Sequence, residues 1–101
     1  MKYIVDIDNT ICKTNGNDYE NSVPHMDRIA KINQLFDEGN EIHYWTARGS
    51  ISGKDWSHFT MYQLNEWECK FTTAKVGKPH YDVWIDDKAF NDEHYFDSHL
   101  K

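Results

Sequence analysis

Two aspartates lie two residues apart, Asp6 and Asp8, at the end of the apolar run that opens the chain. A β-strand has a side-chain period of two, so both carboxylates point to one side of it. Two like charges at the mouth of a hydrophobic strand repel each other and are costly unless a cation or a proton compensates. Such a pair suits a metal site or an acid–base couple. Other chemistry-bearing residues fall at comparable places. Thr46 closes the apolar stretch 41–46 with Arg48 just beyond it, and Asp86 and Asp87 follow Tyr81, Val83, Trp84 and Ile85. Lys78, between Gly77 and Pro79, is the cation best placed to join them, with Lys54 and Lys75 as rivals. Arg48 has two open roles, holding an anionic group of a substrate in bidentate fashion or pairing with a local acid.

The elements that must position these residues can be read from periodicity. Residues 2–8 form a mostly apolar strand of the buried parallel type. Residues 9–23, rich in Asn, Gly, Ser and Asp, form a loop. Pro24 suits the first turn of a helix over 25–38, where Ile29, Ile32, Leu35 and Phe36 recur at helical spacing. Gly39 and Asn40 end that helix. A second strand spans 41–46, a glycine-containing loop follows from Arg48 to Gly53, and a second helix covers 55–68. A short strand is expected near Phe71–Val76 and another at Tyr81–Ile85, and the tail from Ala89 to Leu100 reads as helical. Strands alternating with helices imply βαβ units, an α/β fold and a parallel sheet. In such sheets ligands bind beyond the carboxyl ends of the strands. All three polar clusters fall at such ends and are expected to converge on one crevice.

Composition narrows the function. The 101 residues make one domain, 1–101, with one core. Seventeen acids against eleven bases give a net charge of −6, which disfavours a nucleic-acid module held by a basic surface. Cys12 and Cys69 form no CxxC pair, and a reduced, cytoplasmic setting is expected. No apolar run approaches the ~20 residues of a membrane helix. The six histidines show no metal-ligand spacing. His43 reads as a strand histidine, while His25 and His80 lie near loops. Trp56, Phe59 and Trp67 read as core, and Cys12 as packing.

In order along the chain stand Asp6-Ile7-Asp8-Asn9-Thr10 (a DxDxT motif), Thr46 closing a hydrophobic strand, Lys78, and the pair Asp86-Asp87. This order, over about residues 2–90, resembles the haloacid dehalogenase (HAD) superfamily of phosphatases, in a small form without a cap domain. The stretches around the later motifs are similar to small HAD proteins found with bacterial capsule or surface-sugar genes, and to phage proteins. The resemblance implies a three-layer Rossmann-like fold, with helices on both faces of a parallel sheet and no cap. It implies a magnesium-dependent phosphomonoesterase working through an aspartyl-phosphate on a sugar phosphate or other small ester. Asp6 would be the nucleophile and Asp8 the acid and base. Thr46 and Lys78 would hold the phosphoryl group, and Asn9, Thr10 and Arg48 would contact substrate. Magnesium would be held by the Asp6 side chain, the Asp8 backbone carbonyl and the Asp86-Asp87 pair, with Asp86 favoured over Asp87 as the direct ligand, and waters and a phosphate oxygen would complete the shell. Asn9 stands where many members carry Gly, and the acidic pair is adjacent rather than spaced. An uncapped crevice suits a large substrate or closure by another subunit, so a homo-oligomer is a further expectation. A polynucleotide-end phosphatase and a non-catalytic phosphate- or metal-binding module are the alternatives.

Overall fold

A computed structural model describes residues 1–100. Three strands make a parallel sheet in the order β1 (Lys2–Val5), β4 (Glu41–Trp45), β5 (Thr73–Lys75). Lys2 to Val5 align with Glu41 to Tyr44, and His43 to Trp45 align with Thr73 to Lys75. Parallel neighbours need a crossover. Helix α1 (Met26–Asp37) lies on the first connection and α2 (Ser57–Glu66) on the second. A third helix, α3 (Asp92–His99), ends the described chain. The α/β class and the parallel sheet expected from periodicity are thus present, and no separate cap domain is evident among the described residues. No helix is long and apolar enough to cross a membrane.

The core follows the apolar periodicities. Ile29, Ile32 and Leu35 form the buried stripe of α1. They pack with Val5, Ile7, Ile42, Tyr44, Leu64 and Phe96 in one cluster. Helix α1 ends as its sequence suggests. Gly39 takes φ +97, its N–H donates to the Phe36 carbonyl, and the Asn40 N–H donates to that of Leu35. This is the Schellman arrangement, which satisfies carbonyls that the helix end would leave bare. Helix α2 ends in the same way on Glu68, at φ +58.

Several expectations are corrected. The first strand stops at Val5 rather than position 8, because Asn9 turns the chain at φ +59 and the Thr10 and Ile11 N–H groups fold back onto the Ile7 carbonyl. The stretch 9–23 is not plain loop. It holds a short antiparallel pair, β2 (Cys12–Lys13) with β3 (Val23–Pro24), and a 3-10 turn at Tyr19–Asn21. Pro24 therefore sits in β3, and His25 precedes the first turn of α1. The strand expected at Tyr81–Ile85 does not form. Its residues are mostly apolar, yet Val83 is 75% and Ile85 94% exposed. Trp84 instead leans edge-on against Trp45, with ring centroids 6.2 Å apart.

Candidate active site

Beyond the carboxyl ends of β1 and β4 lies a cleft of about 610 Å³. Asp6, Asp8, Thr46, Arg48 and Lys78 all line it, so two of the three strand ends converge as expected. The backbone builds the floor. Thr46 donates its N–H to the Lys75 carbonyl, and its own carbonyl accepts from Lys78, so the end of β4 locks the Gly77–Pro79 turn beside it. Ser50 Oγ donates to the Lys78 carbonyl at 2.7 Å and ties the loop after β4 to the same turn.

Asp6 faces a cation. The Lys78 ammonium stands 3.6 Å from its Oδ1, and Thr10 Oγ1 donates to its Oδ2 at 3.2 Å. Burial pushes the Asp6 carboxyl above its usual range, against the opposing pull of Lys78 and the hydrogen bonds from Ile7 and Thr10. Lys78 is itself clasped, with its ammonium 5.2 Å from the Tyr81 ring centre and 5.8 Å from that of Trp84. The apolar stretch read as a strand thus supplies aromatic faces to the lysine, a cation–π arrangement that steadies the charge where it meets Asp6.

Asp8 is held differently. Arg48 grips it in bidentate fashion, Nη2 to Oδ1 at 2.8 Å and Nε to Oδ2 at 3.0 Å. Thr14 Oγ1 adds a bond to Oδ1 at 2.8 Å. Arg48 is only 2% exposed. Its remaining Nη1 reaches Thr60 Oγ1 at 3.2 Å, and its plane lies 4.7 Å from the Tyr19 ring centre. Of the two roles open to Arg48, the structure shows pairing with a local acid; its guanidinium has little left to offer a substrate. It orients Asp8, as a buried guanidinium fork does well. Two oxygens with four lone pairs accept three strong bonds here, so Oδ2 keeps a lone pair for a proton.

Thr46 is buried, and its Oγ1 accepts the Arg48 N–H at 3.2 Å. Its hydroxyl hydrogen is left to donate into the cleft. Asn9 and Thr10 do not line the cleft. Asn9 Oδ1 accepts the Thr14 N–H at 3.0 Å, so Asn at that place secures the turn and the start of the β2–β3 ribbon. Thr10 acts on Asp6.

The third strand end is absent from the cleft. Asp86 and Asp87 are exposed and do not line it. Asp86 instead accepts the Lys88 N–H at 2.7 Å and the Trp84 indole N–H at 3.4 Å, bonds that hold its carboxyl below the usual range. The reason is the missing strand, which would have carried them to the sheet. Of the expected magnesium ligands, Asp6 and Asp8 line the cleft and Asp86 and Asp87 do not; Arg48 takes up the Asp8 carboxylate but not the backbone carbonyl expected to meet the metal. Among the described residues, no three His, Cys, Asp or Glu side chains come together as a metal cage. The side chains as placed do not make a magnesium shell.

Sequence reasoning missed several contributors. Tyr19 stacks on Arg48, and Gln63 Nε2 fixes Tyr19 by donating to its carbonyl at 2.8 Å. Arg28 donates to the Thr10 carbonyl at 2.9 Å and pairs with Asp92 at 2.7 Å, tying the DxDxT turn to α3. Trp56, read as core, is a wall of the cleft. Arg28 gave a sequence signal, as a cation near the start of an amphipathic helix.

No family model matches the chain, and no curated protein is significantly similar to it. A crystal structure of a structural-genomics target from Vibrio cholerae is similar in fold, with a TM-score of 0.79. It is 28% identical, over 93% of this chain and 85% of that one.

Proposed function

We propose that this chain is a HAD-type phosphomonoesterase that works through an aspartyl-phosphate, on a sugar phosphate or other small phosphate ester. The observation that carries the reading is one cleft holding Asp6 against Lys78, with the buried Thr46 hydroxyl on the same floor. A desolvated carboxylate beside a fixed ammonium suits attack on a phosphoryl group, whose negative oxygens need a cation and a hydrogen-bond donor. In the first step an Asp6 oxygen forms a bond to phosphorus, the ester P–O bond breaks, and the leaving oxygen takes a proton from Asp8. In the second, water attacks the aspartyl-phosphate, Asp8 takes the water's proton, and inorganic phosphate leaves with Asp6 restored. Arg48 keeps Asp8 in place through both.

The three-layer Rossmann-like form of the fold, with helices on both faces of the sheet, belongs to the same proposal, as does a requirement for magnesium. Magnesium would supply charge neutralisation at the phosphoryl oxygens. The placed side chains do not cage it, so each step above is assigned to protein groups alone. The test is phosphate release from an aryl phosphate, with and without EDTA. The wild type is expected to turn over, the chelated protein to lose activity, and Asp6→Asn to lose it in both conditions. Full activity in Asp6→Asn would rule out the assigned nucleophile. The distance of Asp86 and Asp87 from the cleft favours a second reading, a non-catalytic phosphate-binding module. That reading requires phosphate binding without release from any ester.

A further inference from the structure

Beyond the phosphoryl end, the cleft has an outer wall built by the loop between β4 and α2. Gly49 takes φ +81 and packs so tightly that a Cβ there would meet the Lys54 carbonyl oxygen at 2.1 Å. The Gly53 N–H donates to the Gly49 carbonyl at 2.8 Å, and the Lys54 N–H to Ser52 Oγ at 3.2 Å. The loop therefore closes on itself and delivers Lys54 to the cleft at a defined place. There the ammonium rests 4.4 Å from the Trp56 ring centre. Trp56 is braced edge-on by Tyr19 at 4.9 Å and by Phe59 at 5.5 Å.

The charges of the cleft do not cancel. Arg48 is committed to Asp8 and Lys78 to Asp6. Lys54 lines the same cleft and forms no ion pair among the described residues, in a chain whose net charge is −6. A fixed, unpaired cation in a concave wall concentrates anions from solution. It rests on Trp56, whereas Lys78 rests on Tyr81 and Trp84 and pairs with Asp6, where the phosphoryl group is proposed to sit, so the anion Lys54 suits is a second one.

We infer that Lys54 selects phosphate esters carrying a second anionic group, a carboxylate or another phosphate, on the part of the molecule that leaves. The inference rests on the phosphatase reading and names its substrate class. The ring under the ammonium limits the lysine to few orientations, so less freedom is lost when the anion arrives.

The test compares linear phosphate monoesters matched in length and ending in a neutral hydroxymethyl group, a carboxylate, or a second phosphate. Wild-type kcat/KM is expected to favour an anionic ester over its neutral partner by about fivefold, the scale of one solvent-accessible ion pair. Lys54→Gln is expected to remove that ratio through KM, and Lys54→Arg to keep it. The two anionic arms show whether carboxylate or phosphate is preferred. Turnover of all three esters with the same ratio in wild type and Lys54→Gln overturns this inference and leaves the phosphatase reading standing. No turnover of any ester by the wild type overturns the phosphatase reading, and this inference with it.

Discussion

At the scale of single residues, the two aspartates of the DxDxT motif differ by their partners. Asp6 meets one ammonium and one hydroxyl, and burial raises its pKa; Asp8 is clamped by a buried guanidinium. The sequence shows two identical residues at a spacing of two, and nothing in that spacing distinguishes them. What distinguishes them is Arg48, from another strand end, and Thr14, from the ribbon that follows. Removing one member of a buried ion pair leaves the other charge uncompensated. Arg48→Met is therefore expected to lower stability by about 3–5 kcal/mol. Combining it with Asp8→Asn removes the stranded charge, so the double variant should be more stable than the sum of the two single losses implies, by about 1–3 kcal/mol. Urea unfolding of the four proteins measures the coupling. Strictly additive losses would show that the pair does not hold Asp8. The same logic explains why Arg48 was ambiguous in sequence. An arginine two residues past a strand end is equally suited to a substrate or a neighbour, and only its burial decides.

At the scale of elements, legibility followed burial. Helix α1 and strand β4 were readable because their apolar periodicity coincides with faces that are buried. The segment Tyr81–Ile85 is equally apolar but has no covered face, so its apolar composition overstated it. The ribbon of β2 and β3 was hidden for the opposite reason. Each strand is two residues long, too short for a period, and it is held by Asn9 and by the Thr14–Ser22 hydroxyl pair at 2.7 Å. Helix ends were partly readable. Gly39 announces a left-handed C-terminal stop, whereas Glu68 performs the same turn with no glycine to mark it. A non-glycine residue in that conformation costs about 1 kcal/mol. The Glu68 carbonyl bond to Asn33 and the Cys69 N–H bond to Leu64 use only backbone atoms of 68 and 69. Glu68→Gly should therefore retain both and raise stability by about 0.5–1 kcal/mol, read from the thermal or urea midpoint. A fall in the midpoint would mean that the Glu68 side chain contributes something that the backbone geometry does not show.

At the scale of the whole molecule, the sheet is only three strands wide, so the few large side chains at its centre weigh heavily. Tyr44 is the largest of the fully buried ones, and it packs edge-on to Phe71 at 6.0 Å. Its hydroxyl is buried without a hydrogen-bond partner, and the Cys69 thiol is its titrating neighbour. Burial pushes both groups up, the Cys69 thiol to about 12 from an ordinary 9.0, and the Tyr44 hydroxyl higher still. The sign of the linkage follows. Between pH 9.0 and about 12 the folded protein keeps a Cys69 proton that the unfolded chain has released. The folded state binds more protons there, so stability present below pH 9.0 is lost as pH rises through that window, and Tyr44 adds a parallel loss above its own ordinary value of 10.0. Tyr44→Phe removes an unsatisfied buried hydroxyl and one of the two alkaline titrations. It is expected to raise stability near neutral pH by about 1 kcal/mol, and to make the decline above about pH 10 shallower. Cys69→Ala leaves a small cavity and should lower stability near neutral pH, yet it too should flatten the alkaline decline. Urea midpoints of the three proteins across that range separate the two contributions. A decline of equal steepness in all three would place the alkaline sensitivity outside this pair, in the exposed lysines and tyrosines that surround the sheet.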